Sequence, residues 1–255
     1  MNEKVSVIIP ARDEANSIGS LISRIKESLS THEYEIIVVD DGSKDNTKDI
    51  ARSSSVMTLS HDRSLGKGAA MKSGAGSATG DIFVFLDGDG AHYPEDIPSV
   101  IAPILQNKAD LIIGSRNFHG SEASGFYWPR RVANKLASFI TSIIISFSLP
   151  LVTFLKCPMK WIKVADAESG FKAIRKGNWH RLNLISQGFE IETEMIYEAA
   201  RNKLAIAEVP ISYNREGGTS SLSVLRDGWK TMKLLVRKLI GEVKGRQADA
   251  CNQSS

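Results

Sequence analysis

Short apolar runs punctuate the first half of the chain: residues 5–10 (VSVIIP), 35–39 (EIIVV) and 81–86 (DIFVFL), with weaker ones at 56–59 (VMTL) and 110–114 (DLIIG). They are rich in β-branched residues, bounded by Gly, Pro or Asp, and nearly continuous rather than alternating, as strands buried on both faces are. Helical stretches are predicted between them, near 16–29, 46–53, 66–77 and 94–107. Strands alternating with helices predict an α/β architecture: a mostly parallel, Rossmann-like sheet with helices on both faces. Ligands of such sheets sit beyond the carboxyl ends of the strands.

After residue 120 the alternation stops. Residues 136–155 carry no charge between Lys135 and Lys156, and they match the ~20 residues that span a bilayer. Pro150, six Ser or Thr, and site-like sequence on both sides favour instead one or two helices at a membrane interface or in the core. Ile140, Ile143, Ile144, Phe147 and Leu151 fall on one helical stripe. The last helix, 222–244, sets an apolar face (Leu225, Trp229, Met232, Val236, Leu239, Val243) beside a basic stripe (Arg226, Lys230, Lys233, Arg237, Lys244). It reads equally as a helix resting on anionic lipid and as a domain-closing helix with a solvated side. The expected division is one domain over 1–221, the basic amphipathic helix over 222–246 and a frayed tail over 247–255.

At 255 residues, 42% hydrophobic and 24% charged, the composition is that of one large globular unit, not of a disordered chain. Cys157 and Cys251 cannot build a disulfide framework and lack metal-like spacing. The starting apolar run ends at Pro10 with acidic residues after it, so no signal peptide is read, and a reducing compartment is expected. The net charge of +3 is local. Residues 222–246 hold seven Lys or Arg against Asp227 and Glu242, while residues 1–221 sum to −1. That balance argues against nucleic acid as a partner.

The strand ends carry the candidate chemistry. Asp87 and Asp89 flank Gly88 just past a strand, where both can face a divalent ion. Hard oxygen ligands suit Mg²⁺ or Mn²⁺, which would neutralise charge on a departing diphosphate. An Asp-Gly turn accounts for the same residues taken alone. Asp40 and Asp41 can accept from ribose hydroxyls or base N–H groups, or serve only a turn. Gly66-Lys67-Gly68 opens a helix where backbone N–H groups and Lys67 could meet a phosphate, a glycine-softened loop being the plainer reading. Arg116, Arg130, Arg131 and Arg215 are candidate anion clamps. His92 follows the acidic pair closely, and Glu190, Glu192 and Glu194 read as structural. No G-x-S-x-G, H-E-x-x-H or G-x-G-x-x-G occurs, which argues against serine hydrolases, zincins and ordinary dinucleotide enzymes.

In order and spacing, VSVIIPARDEA, VVDDGSKDNT, LGKGAAMKSG, VFLDGDGAHYPEDIP, LIIGSR, SGFKAIRKG and EVPISYNREGGTSSL resemble the family-2 glycosyltransferases of the GT-A fold. The likeness covers roughly residues 4–225 and is greatest to the dolichyl- and polyprenyl-phosphate mannose and glucose synthases. It implies inverting, metal-dependent transfer of a sugar to a polyprenyl phosphate by a peripheral enzyme at the cytoplasmic face of a membrane. The donor would be GDP-mannose, UDP-glucose or a UDP-N-acetylhexosamine. By position, Pro10, Arg12, Glu14, Val38, Asp40, Asp41, Lys67, Asp87 and Gly88 would hold the nucleotide sugar. Asp87 and Asp89 would hold Mg²⁺ or Mn²⁺, and Arg116 and Arg131 would meet phosphates. Arg215 and Ser220, in R-x-x-G-x-S, would face the lipid phosphate or the reacting centre, so that Asp89, Arg116, Arg131, Arg215 and Ser220 form the implied catalytic set.

Three positions depart from the group. Ala91 stands where the synthases carry a Gln, which removes a third metal ligand. Arg12-Asp13-Glu14 replaces Tyr-Asn-Glu, leaving GDP and UDP both open. Ser221 replaces a lysine, which removes an acceptor-side charge. No tandem hydrophobic pair follows, so an attached membrane domain is not expected. A phosphate acceptor is ionised near neutral pH, with a second pKa of ~6, and attacks without a strong base. The competing reading is transfer to a sugar hydroxyl, which requires a base; Asp166, Glu168 and Glu190 are the candidates.

Overall fold

The computed structural model describes residues 3–116, 164–214 and 229–238. Strand β1 (Val5–Ala11) is followed by α1 (Ile18–Ser28), β2 (Tyr34–Asp40), α2 (Thr47–Ser53), β3 (Met57–Ser60), α3 (Lys67–Ser77) and β4 (Ile82–Phe85). A 3-10 turn (Pro94–Asp96) leads into α4 (Ile97–Leu105) and β5 (Leu111–Ser115). Then come β6 (Lys172–Arg175), α5 (Lys176–Trp179), α6 (Ile191–Arg201) and β7 (Ile206–Pro210). Residues 229–238 are helical and are called α7.

The seven strands form one sheet in the order β3-β2-β1-β4-β6-β5-β7. All neighbouring pairs are parallel except β4–β6 and β6–β5, so β6 alone runs against the rest. The five predicted strands are present within a residue or two. The predicted 94–107 helix is instead a 3-10 turn and α4, which ends two residues after the internal Pro103. The helix is closed beyond that proline by Asn107 at φ +54°, with Lys108 N–H donating back to the Pro103 carbonyl at 2.8 Å and Asn107 N–H to that of Ile104 at 2.9 Å. The apolar runs are continuous because successive residues enter opposite cores. Val5, Val7 and Ile9 of β1 pack under α1, α2 and α4 with Ile22, Ala51 and Ile101. Ile8, Phe83 and Phe85 face α3 and α6 with Met71, Trp179 and Ile196. Leu235 of α7 joins that second core, while Trp229 on the same helix is 72% exposed.

Among the described residues no helix is long and apolar enough to cross a membrane. Residues 136–155 lie outside the described residues, as do the domain boundary at 221 and the tail.

Candidate active site

Because six strands point one way, the segments after β1, β2, β3, β4, β5 and β7 gather at one sheet edge, and β6 begins there. Hydrogen bonds knit this edge. Asp13 N–H donates to Ser43 Oγ at 2.9 Å, Glu14 N–H to Thr47 Oγ1 at 2.7 Å, and Ser17 Oγ–H to the Gly88 carbonyl at 2.7 Å. Asn214 N–H donates to the Ala91 carbonyl at 2.8 Å, bringing the segment after β7 to the acidic pair. Gly90 takes φ +73° to turn the chain after Asp89, a conformation that costs a side-chain-bearing residue more.

Negative charge is crowded here. Glu14, Asp13, Asp89 and Gly90 line a cavity of about 310 Å³ with Ser17 and Arg24. Burial, and then Asp89, raise the Glu14 carboxyl to about 7. Burial and Asp87 likewise raise Asp89. Burial would raise Asp87 too, but the basic neighbours together, Lys67 first among them, outweigh it and hold Asp87 low. A group whose pKa is raised on folding favours its neutral form, so its ionisation opposes folding as pH rises from 4.5 towards 7. Glu14→Gln is therefore expected to flatten the fall in Tm between pH 5.5 and pH 8. Identical pH profiles of Tm for Glu14→Gln and the wild type would remove this account of Glu14.

Lys67 sits at the centre of the site. Its ammonium is 2.5 Å from Asp87 Oδ1 and 2.8 Å from Glu192 Oε1, under the Phe189 ring. Glu192 in turn meets Lys172 at 2.5 Å. So Glu192 is not an isolated structural acid: it belongs to the ionic network of the site. The glycines flanking Lys67 serve protein contacts. A Cβ at Gly66 or Gly68 would lie 2.4 Å from the Gln187 carbonyl oxygen or 2.8 Å from that of Ser186. The Gln187 carbonyl also accepts from Ala69 N–H at 3.1 Å. The phosphate-cradle reading of this helix start thus yields to close backbone packing.

Other expected residues are placed as follows. Arg116 directs Nε and one Nη to the two oxygens of Asp166 at 2.8 and 2.7 Å, stacked by the Tyr213 ring. Asp166 is fully buried, so both partners are committed to each other, and Asp166 is no general base. Asp41 accepts from Leu65 N–H, Gly66 N–H and Ser64 Oγ–H and pairs with His61. It organises the 61–66 segment rather than offering oxygens outward. Asp40 is buried and accepts from Ser43 N–H at 3.1 Å. Val38 is wholly buried in the core, so its side chain cannot line a ligand site. Arg12 is exposed and donates to Ser64 Oγ, and Pro10 ends the β1 apolar run. His92 is buried between Phe171 and Tyr213; burial lowers its pKa to about 4, which keeps the ring neutral. Arg130, Arg131, Arg215 and Ser220 lie outside the described residues.

The model of glycosyl transferase family 2 matches residues 6–177. The chain belongs to that family. Dolichol-phosphate mannosyltransferase of Pyrococcus furiosus is 34% identical over 86% of this chain, which spans only 59% of that protein's length. UDP-N-acetylglucosamine–dolichyl-phosphate N-acetylglucosaminyltransferase of Methanococcus voltae is 29% identical over 92% of this chain and 98% of its own. Glucosyl-3-phosphoglycerate synthase of Mycobacterium tuberculosis, solved with Mn²⁺ and UDP-glucose, superposes with a TM-score of 0.65 at 20% identity. It covers 94% of this chain and 79% of that one. This family-2 glycosyltransferase thus has the GT-A fold. Its sheet edge carries the acidic pair, and sequence reasoning missed Glu192 and Lys172 as members of the site.

Proposed function

We propose that this glycosyltransferase moves a sugar from a nucleoside diphosphate sugar to a polyprenyl phosphate, with inversion at the anomeric carbon. The observation that carries the reading is the Asp166–Arg116 lock. It ties up Asp166, one of the three candidate bases for a hydroxyl acceptor, whereas an ionised phosphate needs none. Both curated relatives above are transferases whose names specify dolichyl phosphate, which supports the same acceptor class.

A phosphate oxygen of the acceptor would attack the anomeric carbon as its bond to the diphosphate breaks, and the nucleoside diphosphate leaves. Asp87 and Asp89 fit a divalent ion by donor chemistry, and the crowding that raises Asp89 and Glu14 is what a cation relieves. Among the described residues no group of three or more His, Cys, Asp or Glu is arranged around a metal. Two carboxylates alone would leave such an ion to complete its shell with diphosphate and water. When bound, Mg²⁺ or Mn²⁺ would offset charge on the departing diphosphate. The protein's own share is to orient the donor through Asp87 and Asp89, with Lys67 holding Asp87 in place, and to hold Arg116 rigid beside them.

Turnover with Mg²⁺ or Mn²⁺, polyprenyl phosphate and a panel of GDP- and UDP-sugars tests the reading. Glycolipid from one donor is expected. No product alongside clear nucleotide binding would move a hydroxyl acceptor to the front.

The exposed face of α7 bears Trp229, Lys233, Val236 and Arg237, an aromatic and an aliphatic side chain among cations, which suits a peripheral lipid contact. Trp229→Ser should lower co-sedimentation with anionic vesicles several-fold. Unchanged partitioning would count against that contact.

A further inference from the structure

Four ionic side chains from four elements form one series of alternating sign: Lys172 of β6, Glu192 of α6, Lys67 of α3 and Asp87 after β4. The successive separations are 2.5, 2.8 and 2.5 Å. Lys172 is fully buried, the Glu192 side chain is 3% exposed, and only the Asp87 end opens to the sheet edge, at 27%. Charges buried this deeply are costly, and apolar residues of similar volume often serve stability as well. The series is better explained by where it ends.

Asp87 is held from two sides. Lys67 takes one oxygen, and Gly170 backs the other so closely that a Cβ there would lie 2.1 Å from it. The Lys67 ammonium is shared between Asp87 and Glu192, so the two carboxylates fix its place together. The Ala69 N–H bond to Gln187 ties the first turn of α3 to the segment entering α6, so the backbones that carry Lys67 and Glu192 are coupled. Lys172 also donates to the Ser169 carbonyl, beside Gly170.

We propose that Glu192 is a positioning residue of the transferase. By holding the Lys67 ammonium on Asp87, it fixes the direction and charge that Asp87 presents to the donor diphosphate, with Lys172 as its counter-ion. This rests on the reading that Asp87 faces the diphosphate.

The test titrates UDP and GDP, each with Mn²⁺, into the full chain by calorimetry, beside thermal melting. Glu192→Gln alone strands the Lys172 charge, so it is paired with Glu192→Gln/Lys172→Met, which removes that charge. The double variant is expected to melt near the wild type yet bind the nucleoside diphosphate ~10-fold more weakly, as loss of an outer support typically does. Lys67→Met, which leaves the Lys172–Glu192 pair whole, is expected to show the same loss.

A double variant that both melts and binds like the wild type would make Glu192 a counter-ion only. If the glutamate variants do not fold, wild-type binding by Lys67→Met overturns the proposal equally. Asp87→Asn separates the two levels. If it binds as the wild type does, or if neither diphosphate binds the wild type, the assignment of Asp87 falls. If Asp87→Asn loses binding and the double variant keeps it, only the role of Glu192 falls.

Discussion

Asp89→Ala is expected to abolish sugar transfer, by at least ~10²-fold in kcat/KM, without loss of fold. Asp89 carries repulsion rather than support. Burial and Asp87 push its carboxyl up, and it accepts an ordinary hydrogen bond from Ala91 N–H at 3.0 Å. Removing it relieves that crowding, so Tm should hold or rise while activity collapses. A side chain kept at a cost to stability in this way is present for function. Metal-dependent turnover retained in Asp89→Ala, measured beside its melting curve, would remove Asp89 from the site.

Asp166→Ala should produce the opposite signature. It leaves Arg116 buried without the carboxylate that takes two of its nitrogens and its backbone N–H. Breaking such a pair from one side costs about 3–5 kcal/mol. For a chain of this size that is a fall of roughly 10 °C in Tm. The pH dependence has a definite sign. Burial would raise Asp166, but Arg116 outweighs it and the folded value lies below 3.8. The stabilisation is therefore complete above that value and is lost as pH falls through the lower, folded one. Melting temperatures of Asp166→Ala and the wild type should differ at pH 7 and converge in acid. A difference that persists there would mean that Asp166 acts through packing alone.

Much of the sheet was legible because β1, β2 and β4 are buried on both faces and so read as unbroken apolar runs. β6 was not. Lys172 interrupts its pattern, and its antiparallel place between β4 and β5 depends on partners distant in the chain. Helix α3 has almost no amphipathic signal, its residues being small, so its start was visible only through Gly66 and Gly68. The acidic pair was legible as a short local motif. Glu192 was hidden because its meaning lies in Lys67 and Lys172, far away in the sequence. Arg116 was read as a phosphate clamp because nothing local tells that Asp166 reaches it.

That same Arg116–Asp166 pair marks the exit and the return of a long excursion of the chain, between the neighbouring strands β5 and β6. It clasps the end of β5 to the approach to β6, so that the two neighbours are fastened at this point by a side-chain ion pair as well as by their shared ladder.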